Sequence, residues 1–175
     1  MAQAHFPDGV EDRHVAVPSR LHRHANPLSL LLLGGMIVLA LFGILGGRRA
    51  ETLSATSSAA DLAVTVPHTM RSGIFFEMRV EVTAKRAIAD AVVAIDASAW
   101  HDLTINTQIP AAHKEEATDG VFRFHYGPLK AGDRLTMKVD GQINPPLTVG
   151  TRGRVALLDG EAELASVPLH IRVLP

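Results

Sequence analysis

The most prominent pattern in the chain is a long apolar run in its first third. No charged side chain occurs between Ala25 and Gly47, and residues 28–45 are almost wholly apolar. At a rise of 1.5 Å per residue, about 20 helical residues cross the roughly 30 Å hydrocarbon core of a bilayer. A buried helix of a globular protein normally keeps a polar stripe, and this segment has none. The pattern therefore predicts one transmembrane helix at residues 27–47.

The segments that flank this run predict how the chain is oriented. Residues 1–26 are polar and lack periodicity, which is typical of a disordered tail. Lysine and arginine are almost equally frequent at the two ends of the run. A short tail before the span and a large domain after it is the usual layout of a signal anchor with a cytoplasmic N-terminus. We therefore expect a single-pass protein of a bacterial inner (cytoplasmic) membrane whose C-terminal domain is periplasmic or extracellular. A cleaved signal peptide is the alternative.

Beyond residue 61 the hydrophobic period changes from that of a helix to that of a strand. The clearest strand has Phe76, Met78, Val80 and Val82 in alternation with charged residues. The dipeptide at 159–160 is typical of a hairpin turn. The remaining predicted strands are 62–66, 92–97, 103–109, 121–126, 135–139, 154–158 and 164–174. In the strand 103–109, the side chains predicted to share one face are those of Leu103, Ile105, Thr107 and Ile109. In the last strand, Pro168 is predicted to lie at a sheet edge.

Seven or eight such strands with turns between them predict an all-β antiparallel sandwich over residues 62–175. The Ser, Thr and Ala residues of 48–61 predict a tether that joins the sandwich to the span. The predicted fold class is thus one transmembrane α-helix followed by this sandwich.

One turn of the predicted sandwich resembles a recurrent turn of a known group of domains. The segment from Tyr126 to Thr136, YGPLKAGDRLT, resembles the L-x-x-G-D/E-x-L turn that precedes a late strand in many bacterial immunoglobulin-like domains. This likeness covers roughly residues 60–175 and implies an immunoglobulin-like fold without any particular activity. The layout of the whole chain is also similar to the copper-delivery assembly factors of cytochrome oxidase. Those proteins bind copper through cysteines, which this chain lacks.

Composition excludes several classes of function. The chain has no cysteine, which excludes disulfides, thiolate metal sites and thiol nucleophiles. The formal net charge is −1, and neither side of the apolar run has the basic excess that nucleic-acid binding requires. We therefore expect no nucleic-acid partner, no cofactor and no bound metal.

The residues that could carry chemistry are scattered. Ser98 lies near His101 and Asp102, but neighbours along a turn rarely form the geometry of a catalytic triad. The adjacent Glu115 and Glu116 are typical of a solvated, charged loop. The sequence therefore predicts a protein that is not an enzyme, although convergence of three histidines in space stays open. The histidines of the predicted domain are His68, His101, His113, His125 and His170.

Two surfaces of the predicted sandwich are better candidates for binding than for catalysis. The connection 140–153 contains Ile143, Pro145, Pro146 and Leu147, and consecutive prolines reduce the entropy lost on docking. The alternative is that its apolar side chains cover the end of the core. Trp100, with the stretch 104–110, forms the second candidate surface, and this single tryptophan is a core residue, an interfacial anchor or a binding hot spot.

These features predict a non-enzymatic membrane accessory or assembly subunit whose sandwich docks on a multi-span membrane protein. Within the predicted span, Gly35, Gly43 and Gly47 lie on one line that permits close helix packing. The partners are then an integral membrane protein and the lipid bilayer. A free-standing, membrane-anchored envelope module that binds a small ligand or a cell-wall polymer is the alternative. The predicted partner-binding residues are Gly35, Gly43, Gly47, Trp100, Ile143, Pro145, Pro146 and Leu147.

Overall fold

A computed structural model describes residues 8–9, 20–45 and 50–175 of the chain, with the side chains of residues 20–26 left out. The chain divides into two compact units, Met1–Leu41 and Phe42–Pro175. The first unit contains helix α1 (Arg20–Leu41), and the second contains all of the strands among the described residues.

Helix α1 differs from the predicted transmembrane helix in where it begins and ends. It begins at Arg20, within the polar segment, and ends at Leu41. The turn Phe42–Leu45 follows, in which Gly43 has a φ of 67°, a left-handed conformation that ends helices. The apolar part of the helix, residues 28–41, therefore rises only about 21 Å, less than the roughly 30 Å of a hydrocarbon core.

No helix in the described part of the chain is both long and apolar enough to cross a membrane. The predicted transmembrane helix at residues 27–47 is therefore wrong, and so is that part of the predicted fold class. Location in a bacterial membrane and an integral membrane partner are not tested by this finding and stay predictions.

The second unit consists of two β-sheets. One sheet has the strand order β1-β2-β4-β9-β6, and the other has the order β3-β11-β10-β5-β8-β7. Neighbouring strands are antiparallel except β3 and β11, which are parallel. In the described residues the strands are β1 (Glu51–Thr56), β2 (Ala60–Val66), β3 (Thr69–Arg71), β4 (Phe75–Ala84), β5 (Ala91–Asp96), β6 (Leu103–Ile109), β7 (Lys114–Thr118), β8 (Val121–His125), β9 (Arg134–Ile143), β10 (Gly150–Asp159) and β11 (Ala162–Leu174).

The core lies between the two sheets because each sheet turns one apolar face inward. In β4 every second residue is buried, and β2, β9 and β11 show the same alternation. This is the pattern expected of strands that have one face on a core and one face in water. The largest fully buried side chains come from both sheets: Leu62, Met78 and Met137 from one, Leu157, Leu169 and Ile171 from the other.

Most of the predicted strands are confirmed, but the architecture is richer than predicted. The structure has eleven strands in its described residues, where the sequence predicts seven or eight. Strand β1 lies in the predicted tether and pairs with β2, with Leu53 and Ala55 half-buried. Strand β7 lies where the sequence predicts a charged loop. The hairpin is confirmed, but its turn residues are Gly160 and Glu161, one position after the predicted Asp159–Gly160. The edge position of Pro168 is also confirmed, since β3 pairs with β11 only at residues 172–174.

One strand face predicted from the sequence is wrong. The pairing of β6 with β9 shifts register between Ile105 and Thr107, which is a β-bulge. The extra residue reverses the alternation, so Gln108 lies opposite the buried Val139, whereas Ile109 is 60% exposed. Leu103 and Ile105 therefore do not share a face with Thr107 and Ile109.

Candidate binding groove

A short 3₁₀ helix, Ala97–Trp100, holds the only tryptophan of the chain between the two sheets. It follows β5 directly, and the Ala97 N–H donates to the Gly120 carbonyl at 2.8 Å. The indole ring of Trp100 lies 5.6 Å from the ring of Phe122 and 5.7 Å from that of Phe124, measured between centroids. The three rings form one aromatic cluster, in which Phe124 is buried while Trp100 and Phe122 are partly buried.

This cluster forms the floor of an open groove of about 450 Å³. Strand β6 is the last strand of one sheet and β7 is the last strand of the other, and the groove lies between them. Ile105 and Gln108 line the β6 wall, and Glu115 and Ala117 line the β7 wall. We call this site the Trp100 groove. Its floor is apolar, and its two walls are the outer edges of the sheets.

The pairing of β7 with β8 determines which side chains face the groove. Phe122 and Phe124 pair with core residues of β5, so they point inward. Their partners on β7 are Ala117 and Glu115. Directly opposite residues of paired strands point to the same face of a sheet. The side chains of Glu115 and Ala117 therefore point to the groove side of β7, where both residues are exposed.

A part-buried hydrogen bond holds Gln108, one of the residues that line the groove. The Gln108 side-chain amide donates to the Tyr126 hydroxyl at 3.0 Å. Burial raises the pKa of Tyr126 to about 12, while the hydrogen bond from Gln108 lowers it and the charge of Glu115 raises it further. The phenol is therefore neutral at physiological pH and fixes the orientation of Gln108.

The opposite face of β7 carries a network of charged groups. Lys114 forms an ion pair with Glu116, and the hydrogen bond and charge of Lys114 hold the pKa of Glu116 below its usual value. His125 Nδ1 lies 2.7 Å from Asp90 Oδ2, and His125 Nε2 lies 3.4 Å from Glu116 Oε2. Asp90 also accepts a hydrogen bond from the Gly127 N–H at 3.2 Å. This network fixes the β7 wall of the groove from its outer side.

The residues considered for catalysis or metal binding do not assemble into such a site. His101 Nδ1 lies 3.0 Å from Asp102 Oδ2, but both His101 and Ser98 are exposed, and no hydrogen bond or ion pair among the described residues joins Ser98 to this pair. His68 and His170 pack edge to face with ring centroids 5.5 Å apart. Across the described residues, no three histidine, aspartate or glutamate side chains converge as metal ligands would.

The predicted loop surface divides into a buried and an exposed part. Ile143 and Leu147 are buried in the core, as the alternative interpretation of this loop expects. Pro145 and Pro146 lie at the exposed tip of a tight turn closed by a 3.0 Å hydrogen bond from the Leu147 N–H. Nearby exposed apolar residues are Phe75, which is 71% exposed, and Val149, which is 82% exposed. We call Phe75, Pro145, Pro146 and Val149 the end surface.

The predicted glycine line does not lie on one helix face. Gly35 lies within α1 and is exposed, with no neighbouring atom near the position of an added Cβ. Gly43 lies in the turn after the helix, and Gly47 lies outside the described residues. Gly43 and Gly35 therefore do not belong to one continuous helical stripe.

Trp100 is the one predicted binding residue that lies in the groove. The sequence also predicts the contribution of the stretch 104–110. It misses Glu115 and Ala117, because a five-residue strand with three charged residues has no apolar alternation. It also misses the proximity of Phe122 and Phe124 to Trp100. The alternation of these two phenylalanines predicts their strand, but a long-range contact leaves no local signal.

Comparison with known proteins does not assign a function to the Trp100 groove. No protein-family model matches the chain, and no curated protein matches it.

Proposed function

We propose that the two-sheet domain is a non-enzymatic binding module that docks on a partner protein through the Trp100 groove. The observation that supports this most directly is the partly buried aromatic cluster at the floor of the groove. Tryptophan is enriched among the residues that dominate the binding energy of interfaces. Isolated exposed apolar residues are common on protein surfaces, but a concave aromatic site is typical of ligand or partner binding.

The end surface is a second candidate for docking. It is supported by the exposure of Phe75 and Val149, and by two prolines that stiffen the turn. It offers exposed side chains without a comparable concavity. The Trp100 groove is therefore the preferred site, and the two surfaces predict different outcomes for the same experiment.

The test is affinity purification of the tagged, full-length protein from its native cells in mild detergent. Ala117→Arg fills the groove from an exposed wall position and leaves the core unchanged. Ala131→Arg makes the same change at an exposed loop position and serves as the matched control. Pro146→Asp disrupts the end surface.

We expect a stoichiometric partner that is lost with Ala117→Arg and retained with the other two variants. Loss with Pro146→Asp alone would assign docking to the end surface instead. A partner retained by all three variants, or no partner at all, would contradict docking through the groove.

A further inference from the structure

The edge of β7 carries main-chain groups without a partner in the sheet. Strand β7 pairs only with β8 among the described residues. The N–H of Tyr126, the residue directly after β8, donates to the Ala91 carbonyl of β5 at 2.9 Å. Main-chain groups of successive residues in an antiparallel strand point alternately to its two neighbours. The even-numbered residues of β8 therefore bond to β5, and the odd-numbered ones bond to β7. With the β7–β8 register, the N–H and C=O groups of Glu115 and Ala117 then point away from β8.

Glu115 and Ala117 thus present two features to the same occupant. Their side chains face the groove, and their main-chain groups face the open edge. An extended peptide that pairs with this edge would place every second side chain over Phe122 and Phe124. This is the geometry of strand addition, in which main-chain hydrogen bonds give affinity and pockets for alternate side chains give specificity.

The charge of Glu115 indicates which side chain fits. In the described part of the chain no cationic group lies within ion-pair distance of Glu115, whereas its neighbour Glu116 is paired with Lys114. The Glu115 carboxylate lines the same groove as the Trp100 indole. A carboxylate beside an aromatic face complements a guanidinium or ammonium group, through an ion pair and a cation–π contact together.

From this geometry we infer that the occupant of the Trp100 groove is an extended segment of the partner protein. The segment adds to the free edge of β7 and places an arginine or lysine side chain between Glu115 and Trp100. This inference rests on the proposed function, since it specifies the partner of the same groove.

A different role for Glu115 gives a clear alternative. A charged residue that points inward from an edge strand also protects that edge against pairing with a second copy of the chain. In that case Glu115→Gln makes the protein self-associate and leaves peptide binding unchanged.

The test is selection of random ten-residue peptides, displayed on phage, against the full-length protein and three variants. We expect the wild-type protein to select extended sequences that contain arginine or lysine. Glu115→Lys should select acidic residues instead, Ala117→Arg should select nothing, and Ala131→Arg should select as the wild type does. For one selected peptide, Glu115→Gln should weaken binding about tenfold. N-methylation of those peptide amides that face β7 should abolish binding, and methylation of the alternate amides should not.

The possible failures separate the inference from the proposed function. Ala117→Arg could abolish peptide selection while the peptides selected by the wild type show no preference for arginine or lysine, or show one that Glu115→Lys leaves unchanged. Either result would overturn the inference and keep the groove as the site. Equal selection by wild type and Ala117→Arg would overturn both. No selection by the wild type, or self-association of Glu115→Gln without weaker peptide binding, would overturn the inference.

Discussion

The indole ring of Trp100 is tilted by 32° against the ring of Phe122, with a centroid distance of 5.6 Å, at the floor of an open groove. Tilted and edge-on aromatic pairs contribute about 0.5–1.5 kcal/mol beyond the area they bury. The pair therefore stabilises the domain while one side of the indole remains available to a partner.

Removing the indole should lower stability as well as binding. For Trp100→Ala we expect a loss of about 2 kcal/mol in the free energy of unfolding, less than the 3–5 kcal/mol typical of a fully buried tryptophan. Trp100→Phe should lose less than half of that, because it keeps an aromatic ring on Phe122 and Phe124. Urea denaturation followed by circular dichroism measures both. Equal stability of Trp100→Ala and the wild type would show that the cluster does not support the fold.

Two glycines of the β10–β11 hairpin should respond differently to alanine. One lies at the start of β10, and the other lies in the turn between the two strands. Gly150 has a φ of 117°, and a Cβ there would overlap the Ile171 carbonyl oxygen, a backbone atom that cannot move aside. Gly160 has a φ of 59° in the tight turn, with open space around an added Cβ. We expect Gly160→Ala to cost about 1–2 kcal/mol and Gly150→Ala to cost more than about 4 kcal/mol or prevent folding. Thermal unfolding of both variants checks this, and a smaller loss for Gly150→Ala would contradict the close approach.

The only tyrosine of the chain should titrate at high pH. Burial raises the pKa of Tyr126 to about 12 in the folded protein, against about 10 in an unfolded chain. Because the folded-state pKa is the higher one, the stabilisation from the neutral phenol is complete below about pH 10 and is lost as the pH rises toward 12. Absorbance at the phenolate band should show a midpoint near 12 in buffer and near 10 in concentrated urea. A midpoint near 10 in the folded protein would mean that Tyr126 is exposed.

The carboxylate of Asp159 should stabilise the loop that carries Asp90. Its Oδ1 atom accepts hydrogen bonds from the N–H groups of Ala89 and Asp90, at 2.9 and 3.0 Å. Asp159→Ala leaves both donors without this acceptor, and we expect a loss of about 2 kcal/mol in unfolding free energy. Glu161→Ala, an exposed change in the same hairpin, is the control and should stay within about 0.5 kcal/mol of the wild type. Losses of equal size in the two variants would contradict this role.

The strands with regular alternation could be predicted from the sequence because burial imposes a period of two. Phe76 to Val82 is the clearest case, and the structure places all four apolar residues of that stretch in the core. Strand β7 could not be predicted, because its side chains are charged or small and show no apolar alternation. Its pairing with β8 is made by main-chain hydrogen bonds, which leave no pattern in the sequence. The bulge in β6 was also hidden, because the chain on either side of it continues to alternate.

The helix shows the limit of reasoning from hydropathy alone. An apolar run continues beyond Leu41, but the helix ends there because Gly43 takes a left-handed conformation. Glycine is also common within membrane helices, so its presence in the sequence does not indicate an end. The length of an apolar run and the length of the helix are therefore separate quantities.

The candidate site was only partly predictable for the same physical reason. Trp100 is recognisable as a candidate because it is the only tryptophan and follows a predicted strand. Its contacts with Phe122 and Phe124 join residues more than twenty positions apart, and the groove exists only because β6 and β7 end their sheets on the same side.

The most direct test of docking through the groove is photo-crosslinking in living cells. A benzoylphenylalanine replaces Ala117 on the groove wall or, as a control, Glu81 on the outer face of the other sheet, which is also exposed. After irradiation, crosslinked species are identified by mass spectrometry. We predict one dominant partner at position 117 and none at position 81. No crosslink at 117, or the same products at both positions, would contradict the groove as the docking site.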